Sequence, residues 1–126
     1  MTDRGRVLVV DDEPEVLEML CDLLEHLGYD ASAAGSGELA IAAMATVRPH
    51  VVFLDLMMLG ISGLEALTYF REHHRRVPVI VISGNIEHEI ARQARDRGAF
   101  DIVAKPFDMA TLQSLVAQAM RVAPRV

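Results

Sequence analysis

A chain of 126 residues, 52% of them apolar, is long enough for one buried core and too hydrophobic for disorder. Its formal net charge of −6 argues against a general nucleic-acid surface, and only 5% aromatic residues makes the core chiefly aliphatic. The single cysteine, Cys21, excludes an internal disulfide, and no apolar run reaches membrane-spanning length.

Val7–Val10 reads as a first strand. Pro14 suits the opening turn of a helix, where its missing N–H costs nothing. Val16, Leu17, Leu20, Leu23, Leu24 and Leu27 follow at helical spacing, Cys21 lies on their side as a structural thiol, and Gly28 is placed to end the helix. Tyr29–Ala34 is a second strand, poor in β-branched residues, and Ser36 caps a second helix running to about Val47. Val51–Leu54 is the third strand; a loop with Gly60 and Gly63 leads to a helix over about Leu64–His73. Arg71, His73, His74, Arg75 and Arg76 read as a cationic helix C-terminus facing the dipole. Val79–Ile82 is the fourth strand, followed by a helix over about Glu87–Arg97 that stops at Gly98. Ile102–Ala104 is the fifth, and Asp108 caps a last helix, about Met109–Val122, with Leu112, Leu115, Val116, Ala119 and Met120 inward.

Five strands alternating with five helices predict an α/β fold, a doubly wound parallel sheet covered on both faces. The expectation is one domain over 1–126, core about 6–122, with no output domain in this chain. The N-terminus, Met1–Arg6, lacks a secretory pattern, so the expectation is a cytoplasmic protein with no membrane partner.

Ligands on such sheets sit beyond the carboxyl ends of the strands. Asp11 and Asp12 end the first strand, Asp55 the third, Ser83 the fourth and Lys105 the fifth. Separately, each has a bland reading: acids with Glu13 at a helix N-terminus, a Ser-Gly loop, a Lys-Pro turn. Their joint placement defeats those readings. Close carboxylate pairs repel by roughly 4 kcal/mol at an effective dielectric near 20, which a hard cation offsets. Mg²⁺ fits, because it accepts a few carboxylates, waters and a phosphate oxygen. Calcium lacks a loop of alternating oxygen ligands, and His26, His50, His73, His74 and His88 show no zinc spacing with Cys21. A carboxylate beside a divalent cation and an ammonium can attack a phosphoryl group, giving an aspartyl phosphate.

Two enzyme readings compete. Gly35, Gly37 and Ala40 satisfy a dinucleotide-binding spacing, with Asp55 about 20 residues on, but leave Asp11, Asp12 and Lys105 idle. An aspartyl-phosphate hydrolase needs an acid two residues after its nucleophile, where Met57 stands.

The segments VLVVDDEP (Val7–Pro14), VVFLDLMMLGISGLEAL (Val51–Leu67), VIVISG (Val79–Gly84) and GAFDIVAKPF (Gly98–Phe107) resemble the receiver domain of two-component response regulators over nearly the whole chain. The resemblance implies a flavodoxin-like sheet of order 2-1-3-4-5 and a phosphorylation-activated switch rather than a turnover enzyme. It implies that Asp55 accepts phosphate from a histidine kinase or histidine phosphotransfer protein. Asp12, Asp55 and the Met57 carbonyl would bind Mg²⁺ (or Mn²⁺) directly, and Asp11 through water. Ser83 and Lys105 would contact the phosphoryl group, with Pro106 following a cis bond. The fourth helix, fifth strand and fifth helix would face a downstream protein and are a candidate homodimer surface; no direct nucleic-acid binding is implied.

The chain departs from that family in places. Ile102 stands where an aromatic switch residue is common, and Phe100, by strand alternation, is on its side of the strand. Signal transfer is therefore expected chiefly through Ser83 and the following loop and helix. Leu59 replaces a usual proline, Ser62 stands at a common aspartate and can cap the third helix, and Met57 and Asn85 flank the site where they control water access.

Overall fold

Strands β1 (Arg6–Val10), β2 (Asp30–Ala34), β3 (Val51–Asp55), β4 (Val79–Ser83) and β5 (Asp101–Ala104) alternate with five helices in this computed structural model. The helices are α1 (Pro14–His26), α2 (Gly37–Val47), α3 (Gly63–His73), α4 (His88–Asp96) and α5 (Met109–Val122). Residues 4–57, 62–84 and 88–124 are described, so Leu59, Gly60, Asn85 and the predicted helix start at Glu87 lie outside them.

The strands pair in parallel in the order β2-β1-β3-β4-β5. This is the doubly wound architecture that the alternation predicts. In the three inner strands, Val7–Val10, Val51–Leu54 and Val79–Ile82 are fully buried. A strand covered on both faces needs apolar side chains on both, hence their unbroken aliphatic runs. β2 reads weakly in sequence because it is an edge strand in which only Ala34 is buried. β5 forms the other edge.

Alternation along the strands divides the core in two. Leu8, Val10, Val52, Leu54, Val79 and Val81 pack with Met44 of α2, Leu67 and Phe70 of α3 and Ala94 of α4. Val7, Val9, Phe53, Ile80 and Ile82 pack with Leu20 and Leu24 of α1 and Leu112, Val116 and Ala119 of α5. Cys21 packs partly buried against this second cluster.

Caps bound the helices where the sequence predicts. Ser36 Oγ accepts from Leu39 N at 3.1 Å, and Asp108 Oδ1 from Thr111 N at 2.8 Å. Ser62 and Glu65 form a reciprocal capping box on α3. At the end of α1, Gly28 adopts φ +99° while its N–H donates to Glu25 O and that of Tyr29 to Leu24 O.

Register then assembles the strand ends. Val10 pairs with Leu54, so Asp11 comes level with Asp55; Ser83 pairs with Ala104, so Lys105 lies one residue past it.

Phe70 is fully buried between α3 and the sheet, so Phe70→Ala should lose about 3–5 kcal/mol of unfolding free energy in urea. A loss under about 1 kcal/mol would contradict this packing.

Candidate functional site

A buried aspartate needs partners for every oxygen it takes out of water. Asp11, fully buried just past β1, has two: its Oδ1 accepts from Glu13 N at 3.0 Å, and Lys105 Nζ stands 2.7 Å from Oδ2. Asp55 ends β3 at 2% exposure; its Oδ1 accepts from Met57 N at 3.0 Å, and Lys105 Nζ reaches its Oδ2 at 3.2 Å. One ammonium thus bridges two buried carboxylates from different strands. The Lys105–Pro106 peptide bond that follows is cis.

Backbone pairing positions that ammonium. Lys105 N donates to Ser83 O at 2.8 Å, extending the β4–β5 ladder by one residue. Ser83 itself is fully buried at the end of β4. Asp12 is half-buried and Glu13 exposed, yet ligand oxygens of Asp11, Asp12, Glu13 and Asp55 all lie within 4.8 Å of one another. Glu13 Oε1 is 3.7 Å from Lys105 Nζ.

Two helix N-termini open beside this cluster, and their partial positive ends favour anions. α1 starts at Pro14, directly after the acids. α3 starts at Gly63, whose N–H donates to Leu56 O at 3.3 Å. A Cβ at position 63 would run into the Leu56 Cα and the Asp55 carbonyl, so only glycine lets α3 sit this close to the strand end.

The Asp55 carboxyl is pushed up to about 6: burial is the largest cause and the nearby Asp11 charge adds to it, outweighing the Met57 N–H and the Lys105 ammonium, which favour the ionised form. Burial works against the charged form of Lys105 as well, but the Asp11 hydrogen bond and the Asp55 charge hold it above its ordinary value. The cluster is therefore short of positive charge. Four oxygen donors of this kind at this spacing fit a hard divalent cation such as Mg²⁺.

Asp11, Asp12, Asp55, Ser83 and Lys105, separated by up to 94 positions, thus come to one end of the sheet. The Met57 N–H donates to Asp55, while the residue as a whole is 55% exposed. Ile102 does not face the cluster. It pairs with Val81 and packs half-buried with the α2–α4 side of the core. Phe100 directly precedes β5, donates its N–H to Val79 O and lines a cleft at the end of the sheet opposite the carboxylates, so it does not stand at the position Ile102 occupies.

Glu13 and Gly63 are the site residues that sequence reasoning did not single out. The Asp-Asp-Glu run was the signal for Glu13, absorbed by the helix-dipole reading. For Gly63 the only signal was a glycine in a loop. Gly35 lies in the turn after edge strand β2 and Gly37 is the first residue of α2, with Ser36 between them as the helix cap.

Residues 7–117 match the family described as response regulator receiver domain. The chain belongs to this family. The receiver is 38% identical over 121 residues to the regulatory protein AtoC of Escherichia coli strain K12, covering 96% of this chain and 26% of AtoC. It is likewise 38% identical over 116 residues to the nitrogen assimilation regulatory protein NtrX of Azorhizobium caulinodans, covering 90% and 26%. The solved receiver domain of NtrX from Brucella abortus superposes with a TM-score of 0.86 at 33% identity, covering 91% of this chain and 98% of that one. Chemotaxis protein CheY4 of Vibrio cholerae shares the fold at a TM-score of 0.88 and 24% identity, covering 93% and 99%. The receiver spans about a quarter of the length of AtoC and NtrX. Among its described residues no helix is long and apolar enough to cross a membrane.

Without divalent metal, Asp55→Asn is expected to be about 1–2 kcal/mol more stable than wild type at pH 7.5. The folded-state carboxyl lies near 6, above its unfolded value, so its charging penalty is absent at low pH and grows as pH rises to about 6. Urea denaturation at about pH 4 and pH 7.5 checks the sign; a gain of equal size at both would contradict it.

Proposed function

We propose that this receiver is a phosphorylation-activated signalling switch in which Asp55 accepts a phosphoryl group from a histidine kinase or histidine phosphotransfer protein. The observation that carries the proposal is the Lys105 ammonium bridging Asp11 and Asp55 inside a four-carboxylate cluster. We take the receiver unit to be one domain, core about 6–122.

Asp12, Asp55 and the Met57 carbonyl would hold Mg²⁺, or Mn²⁺ in its place, with Asp11 acting through water. The cation would supply positive charge to the phosphoryl oxygens and offset the cost of keeping Asp55 ionised at this buried position. An Asp55 carboxylate oxygen forms the new bond to phosphorus as the donor imidazole's N–P bond breaks, and the imidazole leaves with that electron pair. Lys105 neutralises charge on the transferring oxygens, Asp11 keeps the ammonium aimed at Asp55, and the Ser83 hydroxyl donates to a phosphoryl oxygen in the product. The same groups assist hydrolysis of the product, so the receiver promotes its own loading and unloading without being a turnover enzyme. Met57 at the second position after Asp55 supports this over an aspartyl-phosphate hydrolase, since a thioether cannot transfer a proton.

The product adds roughly two negative charges to a buried site. Ser83 and Lys105 lie on adjacent strand ends joined by a hydrogen bond, so movement toward that charge acts on β4 and β5 together. The altered surface of α4, β5 and α5 would then control a downstream protein, and that face is also the proposed homodimer surface. A direct nucleic-acid role is not proposed. The proposed setting is the cytoplasm, which suits the single free thiol, Cys21.

Incubation with acetyl phosphate and Mg²⁺ should add one phosphoryl group to the intact mass of wild type and none to Asp55→Asn or to wild type with chelator. Lys105→Ala should load about a hundredfold more slowly. A gain that survives Asp55→Asn would overturn the assignment.

With Ile102 packed away from the cluster, the signal is expected to run through Ser83 and the segment from Gly84 to Arg97. Amide chemical shifts recorded before and after phosphorylation test this. Unmoved amides across that segment would exclude the route.

A further inference from the structure

A second chemically distinct feature lies at the opposite end of the sheet, where the strands begin. A cleft of about 440 Å³ opens there between the end of α3, the α4–β5 turn and the end of α5. Arg71, Arg75 and Arg76 line one side, and Phe100, Val122 and Pro124 another. The dipole reading of the basic run accounts for Arg71 and His73, which stand in the last turn of α3. It does not account for Arg75 and Arg76, which lie beyond the helix.

Arg71 is held in place. Its Nη1 donates to Val77 O at 3.3 Å, and its stem crosses Gly98, where a Cβ would come 3.0 Å from Nε. Arg75 and Arg76 are exposed and make no hydrogen bond or ion pair among the described residues. Beside them Phe100 is 37% and Val122 59% exposed. The cleft thus joins anchored and unengaged cations to apolar side chains on a domain whose net charge is −6.

We propose that this cleft docks an acidic segment of a partner protein, its carboxylates on the arginines and an apolar side chain against Phe100 and Val122. An anionic domain repels such a segment everywhere except at a local basic site, so the same field that weakens approach elsewhere steers it here. A small inorganic anion would engage the arginines but leave the apolar wall exposed to water. A nucleic acid needs a longer run of phosphate contacts than three arginines offer against that net charge. The cleft lies at the end of the sheet opposite Asp55.

Fluorescence anisotropy with the fluorescein-labelled peptide Glu-Glu-Leu-Glu-Phe-Glu-Glu tests the proposal on the full chain. Saturable binding that weakens with salt is expected. Affinity should fall about tenfold or more for the Arg75→Glu/Arg76→Glu variant and for Phe100→Ser, with Asp55 loading by acetyl phosphate unchanged in both. In wild type the peptide should shift the Phe100 and Val122 amides. Equal binding by the double variant or by a peptide with glutamine in place of glutamate would overturn the proposal. So would equal displacement by inorganic phosphate or oligothymidylate. Salt-sensitive self-association without peptide, lost in the double variant, would instead give the cleft to a second copy of the chain.

Discussion

The Lys105 ammonium stands 2.7 Å from one buried carboxylate and 3.2 Å from another, and the geometry of the whole site follows from it. Asp11 and Asp55 come level because β1 and β3 pair in register, and two like charges at that distance repel strongly in a water-poor setting. Burial and Asp11 together push the Asp55 carboxyl up to about 6, even with the ammonium present. The site is therefore built short of positive charge, which is the electrostatic condition that favours taking up a divalent cation.

That arrangement needs the sheet to be rigid at its carboxyl edge. Inner strands buried on both faces supply this, since alternate residues of each are packed into one or other of the two core clusters. Gly63 adds a second constraint by letting the first residue of α3 rest on the Asp55–Leu56 backbone. Asp55 is thus held from below by β3 and from the side by α3, while Lys105 is held by the β4–β5 ladder.

The two ends of the sheet carry opposite chemistry. Carboxylates gather where the strands finish, and arginines gather where they begin, separated by the length of the five-residue strands. Ile102 lies between these ends on the face away from the cluster, packed against the α2–α4 side of the core. An aliphatic side chain held there has no polar group to exchange between buried and exposed states.

Local chemistry by itself determines much of this protein. Unbroken aliphatic runs identified the inner strands, Ser36, Ser62 and Asp108 marked helix starts, and charged residues at strand ends marked the site, because each is a short-range signal of burial or capping. Edge strand β2 was weaker for the same reason: only Ala34 is buried, so little apolar pattern was required of it. Tertiary structure decided what depends on distance between remote segments. It brought Glu13 into the carboxylate cluster, made Gly63 indispensable to the approach of α3, and sent Phe100 to the far end of the sheet. It also joined Lys105 to Asp11 across 94 positions, a contact set by strand order and register rather than by any neighbour in the chain.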